Sequence, residues 1–145
     1  MSPIDSLRKG LDRLSQLDSL YESEMPHSSS SLFEAASYHF KHPGKSFRAQ
    51  LALSSGDALF QNQKDSLHWA AACELLHNAS LIHDDISDAS THRRGQSSIN
   101  HKFGSDMALC LGDWMIAKAF ELASRNHSHG GQLAALLAKA MQDTC

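Results

Sequence analysis

The residues best placed to do chemistry are three aspartates in the segment His83-Asp84-Asp85-Ile86-Ser87-Asp88, with Arg93-Arg94-Gly95 shortly after. The apolar run before them predicts a helix, and in a helix Asp84 and Asp88 stand one turn apart on the same face. Two carboxylates so placed repel one another, and at a helix C-terminus they also meet the negative end of its dipole. A divalent cation removes both penalties. Mg²⁺ suits the pair because it takes one or two carboxylates, keeps several waters and completes its shell with phosphate oxygens. Arg93 and Arg94 beside such a cluster make a complementary diphosphate cradle, since a guanidinium matches phosphate with parallel N–H donors. By itself an acidic cluster is usually a solvated helix end and an arginine pair an ordinary surface pair. Here the acids end a helix too apolar for a surface element, which favours a site.

A second basic group, Lys45 and Arg48, follows the break at Pro43-Gly44, where a new helix would add its free N–H groups. Three-residue spacing puts both side chains on one helical face, and phosphate binding is the functional reading of a pair that is more often solvated. His77 precedes Asp84 by seven residues, two turns back on the same side of the same helix. A lone histidine there is ordinarily a satisfied core residue; in this company it is a candidate donor to a phosphate.

Helices must position these residues. Ser2-Pro3 reads as a helix start, followed by an apolar stripe of Ile4, Leu7, Leu11, Leu14, Leu17 and Tyr21 that Pro26 and the serines 28–31 end. A short helix is expected over Leu32 to Phe40, ended by His42-Pro43-Gly44, and a third from Lys45 to Phe60. The fourth, from Asp65 to about Asp88, is apolar on most faces and is therefore expected at the centre, packed on several sides. A polar loop from Ala89 to about Ser98, a helix over Met107 to Ala123, a loop over Asn126 to Gly131 and a last helix complete the reading. With no strand alternation the fold class is all-α, in a single domain over 1–145.

The 145 residues, 41% of them hydrophobic, suffice for one core. A formal charge of -3 gives no global attraction to nucleic acid or to an anionic membrane, so no nucleic-acid partner is expected and any anion site must be a local cluster of basic groups. Cys73 and Cys110 sit in apolar stretches and Cys145 is far from both, which suits buried reduced thiols and a cytoplasmic protein better than disulfides or zinc. No secretory leader and no transmembrane segment are expected.

The strings Gly44-Lys45-Ser46-Phe47-Arg48, Glu74-Leu75-Leu76-His77-Asn78-Ala79-Ser80-Leu81-Ile82-His83-Asp84-Asp85-Ile86-Ser87-Asp88, Arg93-Arg94-Gly95 and Gly112-Asp113 resemble, in the same order, the trans-type polyprenyl diphosphate synthases. The resemblance covers the chain from Gly44 onward. It implies the N-terminal half of an isoprenoid-synthase-type helical bundle and a Mg²⁺-dependent prenyltransferase that condenses isopentenyl diphosphate with an allylic diphosphate. It implies that Asp84 and Asp88, with Asp85 supporting, hold Mg²⁺ on the allylic diphosphate and that Arg93 contacts that diphosphate, while Lys45, Arg48, His77 and Arg94 bind isopentenyl diphosphate. A homodimer or hetero-oligomer is implied too. Ala79 and Ser80, five and four positions before Asp84, are small where the family uses bulk to stop chain growth, which implies a medium to long product.

Ser46 and Ala49 depart from the family pattern, which more often has a basic residue and a proline there, and the second aspartate-rich motif is not in this sequence. Two other readings stand beside this one. A non-catalytic subunit or a fragment of such a synthase would explain the missing motif, though a purely structural partner has no need of converging carboxylates. An HD-type metal phosphohydrolase would use His77 and the His83-Asp84 pair on a transition metal, and it leaves Asp85, Asp88, Arg93, Arg94, Lys45 and Arg48 without a role.

Overall fold

The computed structural model describes residues 3–42 and 44–144, with backbone alone for Pro3, Ile4, Ser6, Leu7 and Arg8. The expected start at Ser2, the break at Pro43, Cys145 and the side chains of Ile4 and Leu7 lie outside the described residues. The chain runs through α1 (Pro3–Glu24), α2 (Phe33–Phe40), α3 (Phe47–Ala58), α4 (Gln63–Ser87), strands β1 (His92–Arg93) and β2 (Gln96–Ser97), α5 (Ile99–Phe103), α6 (Ser105–Ser124) and α7 (Gly130–Thr144).

α4 is the centre that its all-round apolarity predicts. Asn62 caps it, Oδ1 accepting from the N–H groups of Lys64 at 2.9 Å and Asp65 at 3.2 Å. α3 packs on one side of α4 and α6 on another, and α1 and α5 also touch it. Small residues make the approach close: Ala70, Ala71, Ala72 and Ala79 of α4 and Ala108, Gly112, Ala119 and Ala123 of α6 are all buried. Leu75, Leu111, Met115 and Leu122 fill the space between them, each contributing about 1.5–3 kcal/mol by leaving water. Where α3 crosses α4, a Cβ on Gly56 would fall 2.4 Å from Ser66 Oγ, so only glycine lets the two helices meet at this distance.

Several expectations need correction. The stretch read as a loop contains an antiparallel hairpin, His92 opposite Ser97 and Arg93 opposite Gln96. Arg94 (φ 54°) and Gly95 (φ 77°) form its turn, and positive φ at both central residues is what a tight hairpin requires. Two-residue strands are too short to show alternation, and the class remains all-α. α5, five residues long, is a further element that the sequence pattern does not announce; Ser98, buried, caps it through Oγ. α3 begins at Phe47 rather than Lys45 because Ser46 adopts a left-handed conformation (φ 47°, ψ 36°). In α1, Leu17 is buried but Leu11 is exposed, and Arg13 is buried instead, paired with Asp57 of α3 at 2.6 Å. Of the two thiols, Cys73 is half-buried, with burial pushing it up to about 11. Cys110 is exposed, because the apolar run of α6 is wider than its buried stripe. Among the described residues no helix is long and apolar enough to cross a membrane.

Candidate active site

The three aspartates divide according to the helix period. α4 ends at Ser87 with Asp88 as its cap, and the Asp88 N–H donates to the Asp84 carbonyl at 2.8 Å, so the two acids do stand one turn apart. Both are exposed, and their carboxylates take no hydrogen bond or ion pair from other described residues. Asp85 turns inward and is 3% exposed. Its carboxylate accepts from Arg93 Nε at 3.1 and 3.2 Å and from Nη2 at 2.6 Å. These bonds hold the Arg93 guanidinium above the usual arginine range in spite of some desolvation, and the charges of Asp84 and Asp88 reinforce them. Asp85 therefore engages Arg93, leaving Asp84 and Asp88 as the free pair.

The loop after α4 is pinned from below. Asn100 Nδ2 donates to the Asp85 carbonyl at 3.1 Å and to the Ser90 carbonyl at 3.2 Å, Ser98 Oγ donates to the same Ser90 carbonyl at 2.7 Å, and Tyr38 donates to the Ser97 carbonyl at 3.0 Å. Beside Asp84, the His83 ring lies against Gly112, where a Cβ would fall 2.2 Å from Nε2, and 3.6 Å from Asp113.

The basic residues arrive from three elements. Arg48 is in the first turn of α3, His77 is on α4, and Arg93 and Arg94 are on the hairpin. Burial lowers the His77 imidazole from its ordinary range, and Arg48, then Arg94 and Arg93, add to the lowering against the opposing charge of Glu74. One half-buried imidazole thus senses three guanidinium groups. Lys45 stands apart from the expected helical face: it is exposed, ahead of α3, and its carbonyl accepts from Gln50 at 2.7 Å. The α3 N-terminus is also not wholly open, since the Ala49 N–H donates to the buried Glu74 carboxylate at 3.0 Å.

Glu74, Asn78 and His39 are polar neighbours of this cluster that a reading for charge clusters does not pick out. Asn78 donates from Nδ2 to the Glu74 carbonyl at 2.7 Å, accepts at Oδ1 from Arg94 Nη2 at 3.1 Å, and shares a hydrogen bond with His39, whose imidazole burial pushes down to about 4. Two polar residues one turn apart on the central, largely buried helix are the available signal, because buried polar groups must find partners.

Ala79 and Ser80 separate. Ala79 is buried in the bundle, whereas Ser80 is exposed on the face that carries Asp84, its hydroxyl donating to the His77 carbonyl at 2.7 Å. A cavity of about 610 Å³ opens between α3, α4 and α7, lined by Arg48, Leu51, Leu59, Trp69, Cys73 and Leu133 among others. It does not reach the acids: at 1.5 Å per residue, Cys73 lies about 16 Å along α4 from Asp84. Among the described residues no three His, Cys, Asp or Glu side chains are grouped to hold a metal ion unaided. Two free carboxylates suit Mg²⁺, which draws its remaining ligands from water and phosphate, and do not suit the fully ligated transition metal of a phosphohydrolase.

Comparison with known proteins bears on the family and the fold. The family model described as Polyprenyl synthetase matches residues 29–145. The chain is 39% identical over 93 residues to a geranylgeranyl pyrophosphate synthase of Geoglobus acetivorans, covering 64% of this chain and 29% of that one. It is 32% identical over 126 residues to a geranylgeranyl diphosphate synthase of Methanosarcina mazei, covering 86% and 38%. Among solved structures, a geranyltranstransferase of Thermotoga maritima superposes with a TM-score of 0.82 at 29% identity, over 92% of this chain and 52% of that one. The geranylgeranyl pyrophosphate synthetase of Geoglobus acetivorans gives 0.79 at 30% identity, over 90% and 43%. The chain thus spans well under half the length of these two curated relatives.

Proposed function

Since the chain belongs to the polyprenyl synthetase family, we propose that it forms the N-terminal part of a Mg²⁺-dependent prenyltransferase joining isopentenyl diphosphate head to tail with an allylic diphosphate. The observation that carries this reading is the pair of free carboxylates, Asp84 and Asp88, beside an Arg93 that Asp85 holds in place. Asp84 and Asp88 would hold Mg²⁺, which when bound neutralises the diphosphate and makes it a better leaving group.

The chain's own residues do the rest. Arg93 faces the allylic diphosphate and stabilises the negative charge that grows as its C–O bond breaks. Arg48, His77 and Arg94, with Lys45 at the edge, bind the second diphosphate, so the isopentenyl double bond lies against the carbon losing its leaving group. A carbon–carbon bond forms there and the new cation loses a proton. His77 is neutral at neutral pH and still offers one ring N–H to a phosphate oxygen. The apolar walls of α4 and its neighbours keep water from the cationic carbon. The small Ser80 leaves the tail room to run down the exposed face of α4, which favours a medium to long product. The setting is cytoplasmic, and the working form is a homodimer or hetero-oligomer.

A prenyl-transfer assay with Mg²⁺, labelled isopentenyl diphosphate and farnesyl diphosphate tests the proposal on this chain and on Asp84→Ala, with light scattering on the same samples. Turnover that disappears in Asp84→Ala supports it, as does Mg²⁺-dependent diphosphate binding that the substitution removes. Diphosphate binding indifferent to both Mg²⁺ and Asp84 overturns it.

A further inference from the structure

Arg94 is held in an arrangement that its own chemistry does not favour. Its backbone sits at φ 54°, a left-handed conformation that costs an L-residue other than glycine or asparagine about 1 kcal/mol or more. Its guanidinium passes so close to Gly44 that a Cβ there would fall 2.6 Å from Nη2. The hairpin turn imposes that backbone, while the guanidinium is held separately. Its strongest partner is one amide: Asn78, 7% exposed, accepts from Nη2 at 3.1 Å, while the bond from Nη1 to the His42 carbonyl is long at 3.4 Å.

Asn78 is itself fixed. Its Nδ2 donates to the Glu74 carbonyl one turn earlier, and its amide shares a hydrogen bond with His39 of α2. Glu74, from that same turn, takes the Ala49 N–H and so anchors the first turn of α3, where Arg48 stands. Two buried polar residues four apart on α4 therefore bracket His77 and tie to one helical level Arg48 and Arg94, two of the three arginines whose charges that imidazole senses. An arginine's long side chain has many rotamers, and holding it in advance removes an ordering cost from anion binding.

We propose that Asn78 is a positioning residue for the diphosphate site: it presents Arg94, through Nη2, to a diphosphate whose other partners include Arg48 and His77. The inference rests on the diphosphate reading of the basic cluster given above. Asn78 does not touch the anion; it acts through Arg94 alone.

The test is calorimetric titration of inorganic pyrophosphate without Mg²⁺, so that the basic residues rather than Asp84 and Asp88 report. Wild type, Asn78→Ala, Arg94→Ala and the double variant are compared, with melting curves for each. Asn78→Leu, which fills the buried volume, replaces Asn78→Ala if that variant does not fold. Each single substitution is expected to weaken binding about tenfold, the worth of one charge-assisted hydrogen bond. The double variant is expected to bind no more weakly than Arg94→Ala, because Asn78 has nothing left to position. A merely structural role would lower the melting temperature without this non-additivity. If Arg94→Ala loses affinity while Asn78→Ala and Asn78→Leu bind as wild type does, the positioning role is overturned and the diphosphate reading stands. Losses that add in the double variant overturn it as well. If all variants bind equally, Arg94 is no diphosphate ligand and the positioning role falls with it; if wild type itself binds no pyrophosphate, the diphosphate reading of the cluster falls.

Discussion

Asp84 and Asp85 are neighbours with opposite electrostatic roles, and the same conservative substitution separates them. Asp85→Asn leaves the partly exposed Arg93 with a weaker partner and an amide where a bidentate carboxylate was, at an expected cost of about 1–3 kcal/mol. Asp84→Asn removes a charge that repels Asp88 and opposes the helix dipole, and is expected to leave stability unchanged or raise it by a few tenths of a kcal/mol. Urea denaturation in EDTA checks both signs; equal destabilisation by the two would mean that Asp84 has a structural partner after all. The distinction was only partly legible in sequence. Spacing alone puts Asp84 and Asp88 on one face, whereas the partner of Asp85 comes from a hairpin turn whose geometry depends on Arg94 and Gly95 both taking positive φ.

At the scale of helices, the seam between α3 and α4 makes a sharper prediction. Gly56→Ala places a methyl group against Ser66 and is expected to destabilise by about 1–3 kcal/mol through overpacking. Ser66→Gly in the same chain makes room for it and should recover most of the loss, which thermal denaturation of the two single variants and the double would reveal. No recovery would place the strain elsewhere in the seam. The helices themselves were readable because their apolar runs are long, and α4 above all because its burial on most faces is written in composition. Helix starts were less readable. Lys45 reads as a first-turn residue by its place after Gly44, yet Ser46 bends the chain left-handed and delays α3 to Phe47. The hairpin and α5 are too short for any period to register, and they are the elements that deliver Arg93, Arg94 and the Asn100 brace to the site.

For the molecule as a whole, acid should act in two separable stages. His39 is held down to about 4 in the folded chain against an ordinary 6.5, so the unfolded chain takes up the proton first and stability falls as pH drops from about 6.5 toward 4. His68 and His77, lowered mainly by burial, act in the same direction as pH falls below about 6.5. Glu24 acts below it: hydrogen bonds from Arg125 and Lys118 bring its carboxyl down to about 2, so its contribution is lost between about 4.5 and 2. The His39 stage is expected to amount to about 2–3 kcal/mol. Melting temperature followed from pH 7 to 4 should fall in wild type and fall less in His39→Gln; parallel curves would remove His39 from the account.

The packing around α4 also bears on how quickly the chain finds this structure. α3 lies just before α4 in sequence, and α6 follows it after only the hairpin and α5, so the central helix acquires its two main neighbours without closing any long loop. Loop closure costs entropy that grows with the length closed, and chains dominated by local contacts belong to the class that folds in about microseconds to milliseconds. The core beneath the acidic site is therefore one that can assemble early, by pairing of consecutive helices.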